Sequence, residues 1–332
     1  MRSQLSRTQA IMKFQSPLKL FVTIGFATAV ALATASCGDK SEAEAGRGRL
    51  VAFVSIVPQK TFVQAIAKDN VDVHVMIRPG FSPATYDPTP QQLLKLARAD
   101  LYFRVGVPFE DAWMSRIREA APAMKVIDTR KGIQLLEMLG HGHDHDHGHE
   151  TGTTIHDHEH EHGHNHELTG SDPHIWLDPV RVKKQVETIA DALKAVDPQR
   201  AAAYDANRQR FQQKLDDLDQ DIASRIQKSG IRKFMIFHPS LGYFADRYGL
   251  KQMAIEVEGK SPGASDLGKI IEHARSEGVR TVFVQKEFSA HAAEKIAEAI
   301  DGQVVVLDPL AADYFANLRR IADAIAAQNQ RQ

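Results

Sequence analysis

The chain has 332 residues, 43% hydrophobic and 25% charged, which at roughly 100–200 residues per domain is enough for two domains with cores of their own. This composition excludes collagen-like, coiled-coil and wholly disordered chains. Lys+Arg 41 against Asp+Glu 42, with no basic stripe interleaved with aromatics, speaks against a nucleic-acid partner.

Four basic residues, Arg2, Arg7, Lys13 and Lys19, precede the apolar run Leu20–Leu32, and the small residues Ala33-Thr34-Ala35-Ser36 follow it. A basic region, a short apolar region and a small-residue cleavage site make a secretory signal over residues 1–36, with Met12 as an alternative start. The apolar run falls short of the about 20 residues a membrane span needs. Cys37 comes directly after the small residues, an arrangement that resembles a bacterial lipobox, although Thr34 stands where Leu is usual. The resemblance implies export, lipidation of Cys37 and a membrane anchor. Removal of the leader takes the formal charge from −1 to −5. Residues 37–48, rich in Ala, Glu and Gly from Ser41 on, read as a flexible tether.

From residue 49 apolar runs bounded by turn residues alternate with amphipathic stretches. Strands are expected at Leu50–Val57, Val71–Ile77, Leu101–Val105 and Lys125–Asp128, and again at Phe234–Phe237, Gln252–Val257, Thr281–Val284 and Val304–Leu307. Helical patterns such as Pro58–Lys68, Pro90–Arg98, Leu267–Glu277 and Ala290–Ile300 lie between them. The alternation predicts an α/β protein with one parallel sheet in each half, helices covering both faces. The N-terminal lobe is expected over 49–197 and the C-terminal lobe over 230–332.

Within the first lobe, residues 140–170 are almost free of apolar side chains and read as a disordered insertion. Eleven of the 16 histidines of the chain stand there: His141, His143, His145, His147 and His149, then His156, His158, His160, His162, His164 and His166. Imidazoles at every second position in a flexible chain suit low-specificity capture of zinc, copper or nickel. Rigid selection of one ion needs a different site.

The segment 198–229 differs from both lobes. Tyr204, Phe211, Leu215, Leu218, Ile222 and Ile226 recur at the spacing of one helix face. Pro198 suits the first turn and Gly230 the C-terminal cap. Some 30 residues give a helix of roughly 45 Å, long enough to span two lobes.

Three segments carry the chemistry of a rigid site: Asp172-Pro173-His174-Ile175-Trp176-Leu177-Asp178-Pro179, His238-Pro239-Ser240-Leu241-Gly242-Tyr243, and Asp308-Pro309-Leu310. His238 and Asp308 directly follow expected strands, and in parallel α/β sheets ligands bind beyond the carboxyl ends of strands. Glu287 follows another strand and is a candidate additional donor, or the partner of a nearby lysine. His74, His273 and His291 lie away from strand ends and read as structural or exposed. With Cys37 as the sole cysteine, neither a disulfide within the chain nor a cysteine zinc site can form.

These segments, together with Pro79-Gly80-Phe81-Ser82-Pro83, Tyr86-Asp87-Pro88-Thr89-Pro90 and Tyr248-Gly249-Leu250, resemble the zinc/manganese substrate-binding proteins of bacterial ABC transporters. The branch with a histidine-rich insertion, specific for zinc, is the nearest in pattern. The resemblance implies two α/β lobes joined by one long helix, with one divalent ion in the cleft between them. His174, His238 and Asp308 match the second, third and fourth ligands, and a histidine at the third position favours Zn2+ over Mn2+. The first position departs: Ala84 stands where the family has a histidine, so a water, a loop histidine or Glu287 has to complete the set. The implied protein is a monomer that passes zinc to an ABC permease and its ATPase in the periplasm. A periplasmic metal buffer without a transporter is the alternative. An exported zinc hydrolase is disfavoured by the absence of a His-Glu-x-x-His helix and of a nucleophile motif.

Overall fold

The structure, a computed structural model, describes residues 49–138, 170–256 and 260–328. The signal, the tether with Cys37, the eleven loop histidines and Val257 lie outside the described residues.

All eight expected strands form. The first sheet contains β1 (Leu50–Val54), β2 (Val71–Val75), β3 (Leu101–Arg104) and β4 (Lys125–Asp128), in the order β2-β1-β3-β4. Every pairing is parallel, Leu50 standing opposite Val71 and Ala52 opposite Leu101. The second sheet repeats the plan with β5 (Lys233–Ile236), β6 (Lys251–Ala254), β7 (Thr281–Gln285) and β8 (Gln303–Leu307), in the order β6-β5-β7-β8, again all parallel. β1 stops three residues short of expectation. Pro58 opens α1 (Val57–Ala67), and a residue without an N–H serves a helix start better than a ladder.

The other helices are α2 (Pro90–Leu96), α3 (Pro108–Ala120), α4 (Pro179–Val196), α5 (Ala201–Ser229), α6 (Gly242–Tyr248), α7 (Ala264–Ser276), α8 (His291–Ala299) and α9 (Tyr314–Ala326). The long helix α5 begins after a 3-10 turn at Pro198–Arg200 and ends at Gly230, whose φ of 69° closes it in the left-handed region. The six apolar residues read from its periodicity are all buried, and α5 packs against α1, α4 and α9.

The lobes are not independent. One hydrophobic core runs through the first lobe and the buried face of α5. It continues into α9 and the inner residues Phe234, Ile236, Phe283 and Leu307 of the second sheet. A smaller core, with Met235, Val282 and Val284 from the opposite face, lies under α7 and α8. Strand alternation feeds two cores from one sheet. Residues 49–328 accordingly fall in one compact unit. No described helix is long and apolar enough to cross a membrane.

Candidate metal centre

Parallel strands place their carboxyl ends on one edge of each sheet, and a cleft lies between the two edges. Ser82, Pro83, Ala84, Val107 and Pro108 line it from the first lobe. His174 and Trp176 follow from the segment before α4, and His238, Ser240, Gln285, Glu287, Phe288, Pro309 and Leu310 from the second lobe.

His174 and His238 meet there, their ring centroids 5.2 Å apart and their planes at 68°. Each imidazole is held through one nitrogen by a buried carboxylate. His174 Nδ1 donates to Asp172 Oδ1 at 2.7 Å, and the same oxygen accepts the His174 backbone N–H at 2.9 Å. His238 Nδ1 donates to Glu256 Oε1 at 2.6 Å. Asp172 and Glu256 are 2% and 7% exposed, so both contacts are shielded from water. A carboxylate on Nδ1 fixes the tautomer and leaves Nε2 as the atom that can coordinate. Burial pushes the His174 imidazole below its ordinary pKa, although Asp172 draws it back up; the net direction favours the neutral ring that a metal ligand requires.

The ring planes are fixed as well. His238 stacks on Phe288 at 22° and 5.1 Å, and His174 packs on Trp176 at 5.1 Å. The main chain at His238 is tied down by Gln285, whose Oε1 accepts the His238 N–H at 3.2 Å while its Nε2 donates to the His238 carbonyl and to Ser240 Oγ.

Although His174 precedes α5 in the chain, its segment is fastened to the second lobe. Tyr243 Oη donates to the Asp172 carbonyl at 2.8 Å and accepts the Leu136 N–H at 3.0 Å. Trp176 Nε1 donates to the Pro309 carbonyl, and Tyr314 Oη to the Trp176 carbonyl, both at 2.9 Å. Gly242 has no Cβ because one there would collide with Asp172 Oδ2. Both imidazoles are thus anchored to the second lobe.

Of the other candidates, Glu287 lines the cleft. Burial, reinforced by Asp308, raises its carboxyl, against the pull of Lys286 and His238. Asp308 does not line the cleft, although Pro309 and Leu310 do. Its Oδ1 accepts the Leu310 N–H at 3.1 Å, and its Oδ2 lies 3.5 Å from Lys286 Nζ. Among the described residues, no three His, Cys, Asp or Glu side chains gather closely enough to hold an ion. Ala84 brings no donor from the first lobe. His74 pairs with Asp72 at 3.1 Å and packs on Phe53, and His273 and His291 are exposed on α7 and α8.

Asp172 and Glu256 as imidazole partners were not singled out from sequence. Asp172 lies in the quoted Asp-Pro-His segment. Glu256 could have been found by the rule that found His238, because β6 ends at Ala254 and not at Val257.

Comparisons with known proteins agree with this architecture. Residues 53–328 match the family model of zinc-uptake complex component A, periplasmic. The high-affinity zinc uptake system protein ZnuA of Bacillus subtilis is 29% identical over 286 residues, 84% of this chain and 85% of its own length. A crystal structure of a 138–173 deletion mutant of ZnuA with zinc bound superposes with a TM-score of 0.74 at 38% identity, covering 86% of this chain and all of that one. A manganese-bound periplasmic metal-binding protein of Candidatus Liberibacter asiaticus shares the fold, with a TM-score of 0.67 at 22% identity over 83% of this chain and all of that one. The chain thus belongs to the family of periplasmic zinc-uptake component A proteins.

Proposed function

We propose that this chain is the exported zinc-binding component of an ABC importer, holding Zn2+ in the cleft and passing it to a membrane permease and its ATPase. The observation that carries this reading is the pair of neighbouring imidazoles, each with Nδ1 engaged by a buried carboxylate and Nε2 left to coordinate. His174 and His238 are the primary ligands, and Asp308 supplies an oxygen donor from the adjacent strand end. Two imidazoles favour zinc over manganese, which prefers carboxylate and water oxygen. Ala84 supplies no ligand, so water, one of the loop histidines or Glu287 occupies the remaining tetrahedral position. The ion is cargo, and no covalent step is involved. The histidines of 140–170 collect metal beside His174, and lipidated Cys37 tethers the monomer to the membrane on the periplasmic side.

A competitive zinc titration tests the site, using the chain without residues 140–170 beside the same chain carrying His174→Ala. The expected result is one tight site that the substitution weakens by more than the about 10–100-fold typical of losing an outer partner of a ligand. A chain with no tight site, or with one indifferent to His174, would overturn the assignment.

A further inference from the structure

The residue after β7 puts a fixed positive charge beside an oxygen donor proposed for the cargo ion. Lys286 Nζ lies 3.5 Å from Asp308 Oδ2. The pair is set by the sheet: the Lys286 N–H donates to the Leu307 carbonyl at 3.0 Å, which brings the segments leaving β7 and β8 side by side. With Asp308 Oδ1 on the Leu310 N–H, both carboxylate oxygens are engaged, and Asp308 stays off the cleft wall formed by Glu287, Pro309 and Leu310. The fold has little need of this contact. The Lys286 side chain is 57% exposed, and an exposed ion pair contributes little to stability.

We propose that Lys286 is an affinity-setting residue, a built-in cation that competes with the incoming metal ion for Asp308. This rests on the reading of the cleft as the metal site and deepens it. To use Asp308, a divalent ion must displace the ammonium from Oδ2, and the displaced ammonium then repels the bound ion. A unit charge about 6 Å from a divalent ion in water costs the equivalent of about tenfold in affinity. When the ion leaves, Lys286 recaptures Asp308, which speeds release. Tightness is thereby exchanged for turnover, which suits a protein that must surrender its cargo.

The experiment compares wild type, Lys286→Met and Lys286→Arg in the full mature chain. Zinc affinity is read against a chelator strong enough to silence the loop histidines, and release is read by stopped flow after chelator addition. Lys286→Met is expected to tighten binding about tenfold and to slow release, while Lys286→Arg stays within twofold of wild type. The gain should shrink at high salt, where exposed charges are screened. Metal-free melting temperatures report whether either variant perturbs the fold. Lys286→Met binding within twofold of wild type, or more weakly, would overturn the proposal. A tight site indifferent to Lys286 leaves the assignment of the cleft standing, whereas a wild type with no tight site overturns both.

Discussion

The two lobes share one blueprint and use it differently. Each has four parallel strands in the same order, so each has a crevice at the carboxyl ends of its two central strands, where the connections diverge. In the second lobe that crevice is open. His238 leaves β5 into it, Gln285 ends β7 there, and Glu287 and Phe288 follow. In the first lobe the same place is filled by the protein itself. Glu110, fully buried, reaches back from α3 and accepts the N–H groups of Val105 and Gly106, both at 2.7 Å, the hydroxyl of Ser55, and Arg104 Nε at 3.0 Å. Ser55 Oγ in turn lies 2.7 Å from the Tyr102 hydroxyl. Topology supplies a place for a ligand twice, and side chains decide that one place is filled by an internal carboxylate while the other stays open.

The largest expected effect breaks the filled crevice. Glu110→Ala strips the acceptor from the backbone N–H groups of Val105 and Gly106 and from Arg104, and should destabilise the protein by about 3–5 kcal/mol. Urea denaturation would detect it. Because the lobes share one core, the loss should appear as a single cooperative transition. Separate unfolding of the first lobe would show that the shared core does not couple them.

The open crevice should answer differently to a comparable change. Glu256→Gln keeps the shape but replaces the carboxylate that holds His238 Nδ1. Zinc affinity should fall about 10–100-fold with little change in melting temperature. A variant that binds zinc like the wild type would sever Glu256 from the site.

The smallest effect concerns the seam between the lobes. Asp221 on α5 accepts Arg225 Nε at 2.8 Å and Arg319 Nε of α9 at 2.7 Å, and these guanidinium groups hold its carboxyl below the ordinary value. A carboxyl lowered in the folded state contributes stability that is fully present above the unfolded pKa near 3.9 and is lost as pH falls through the folded value. Asp221→Asn should therefore flatten the acid limb of the stability curve below about pH 4. Near neutrality it should cost less than about 1 kcal/mol, since the site is partly solvated. Melting temperatures at pH 7 and pH 3 would reveal an unchanged acid limb, which would count against the pairing.

Much of this was legible in the residues because the signals are local. Near-continuous apolar runs such as Thr281–Val284 announce buried parallel strands, and the Tyr204–Ile226 periodicity announces α5 with its buried face. His238 stood out because it directly follows a strand. Illegible were the contacts between segments far apart in the chain. Asp172 and Glu256 carry no local mark as imidazole partners, and Glu256 was hidden by a strand expected to run three residues past its end at Ala254. The helix α9 did not stand out at all, although its buried face completes the main core. Asp308 shows the opposite error: its place at a strand end was read correctly, but the strand end does not reveal that its oxygens face Lys286 and Leu310.

By itself, then, the sequence determined the α/β class, the two sheets, the long helix and the three donor-bearing segments, because periodicity and turn chemistry act within a dozen residues. Only the tertiary structure decided which donors meet and which body carries them. Tyr243, Trp176 and Tyr314 fasten His174 to the second lobe through hydrogen bonds between residues 71 to 138 positions apart. Such contacts depend on packing and on the exclusion of water, which no local pattern records.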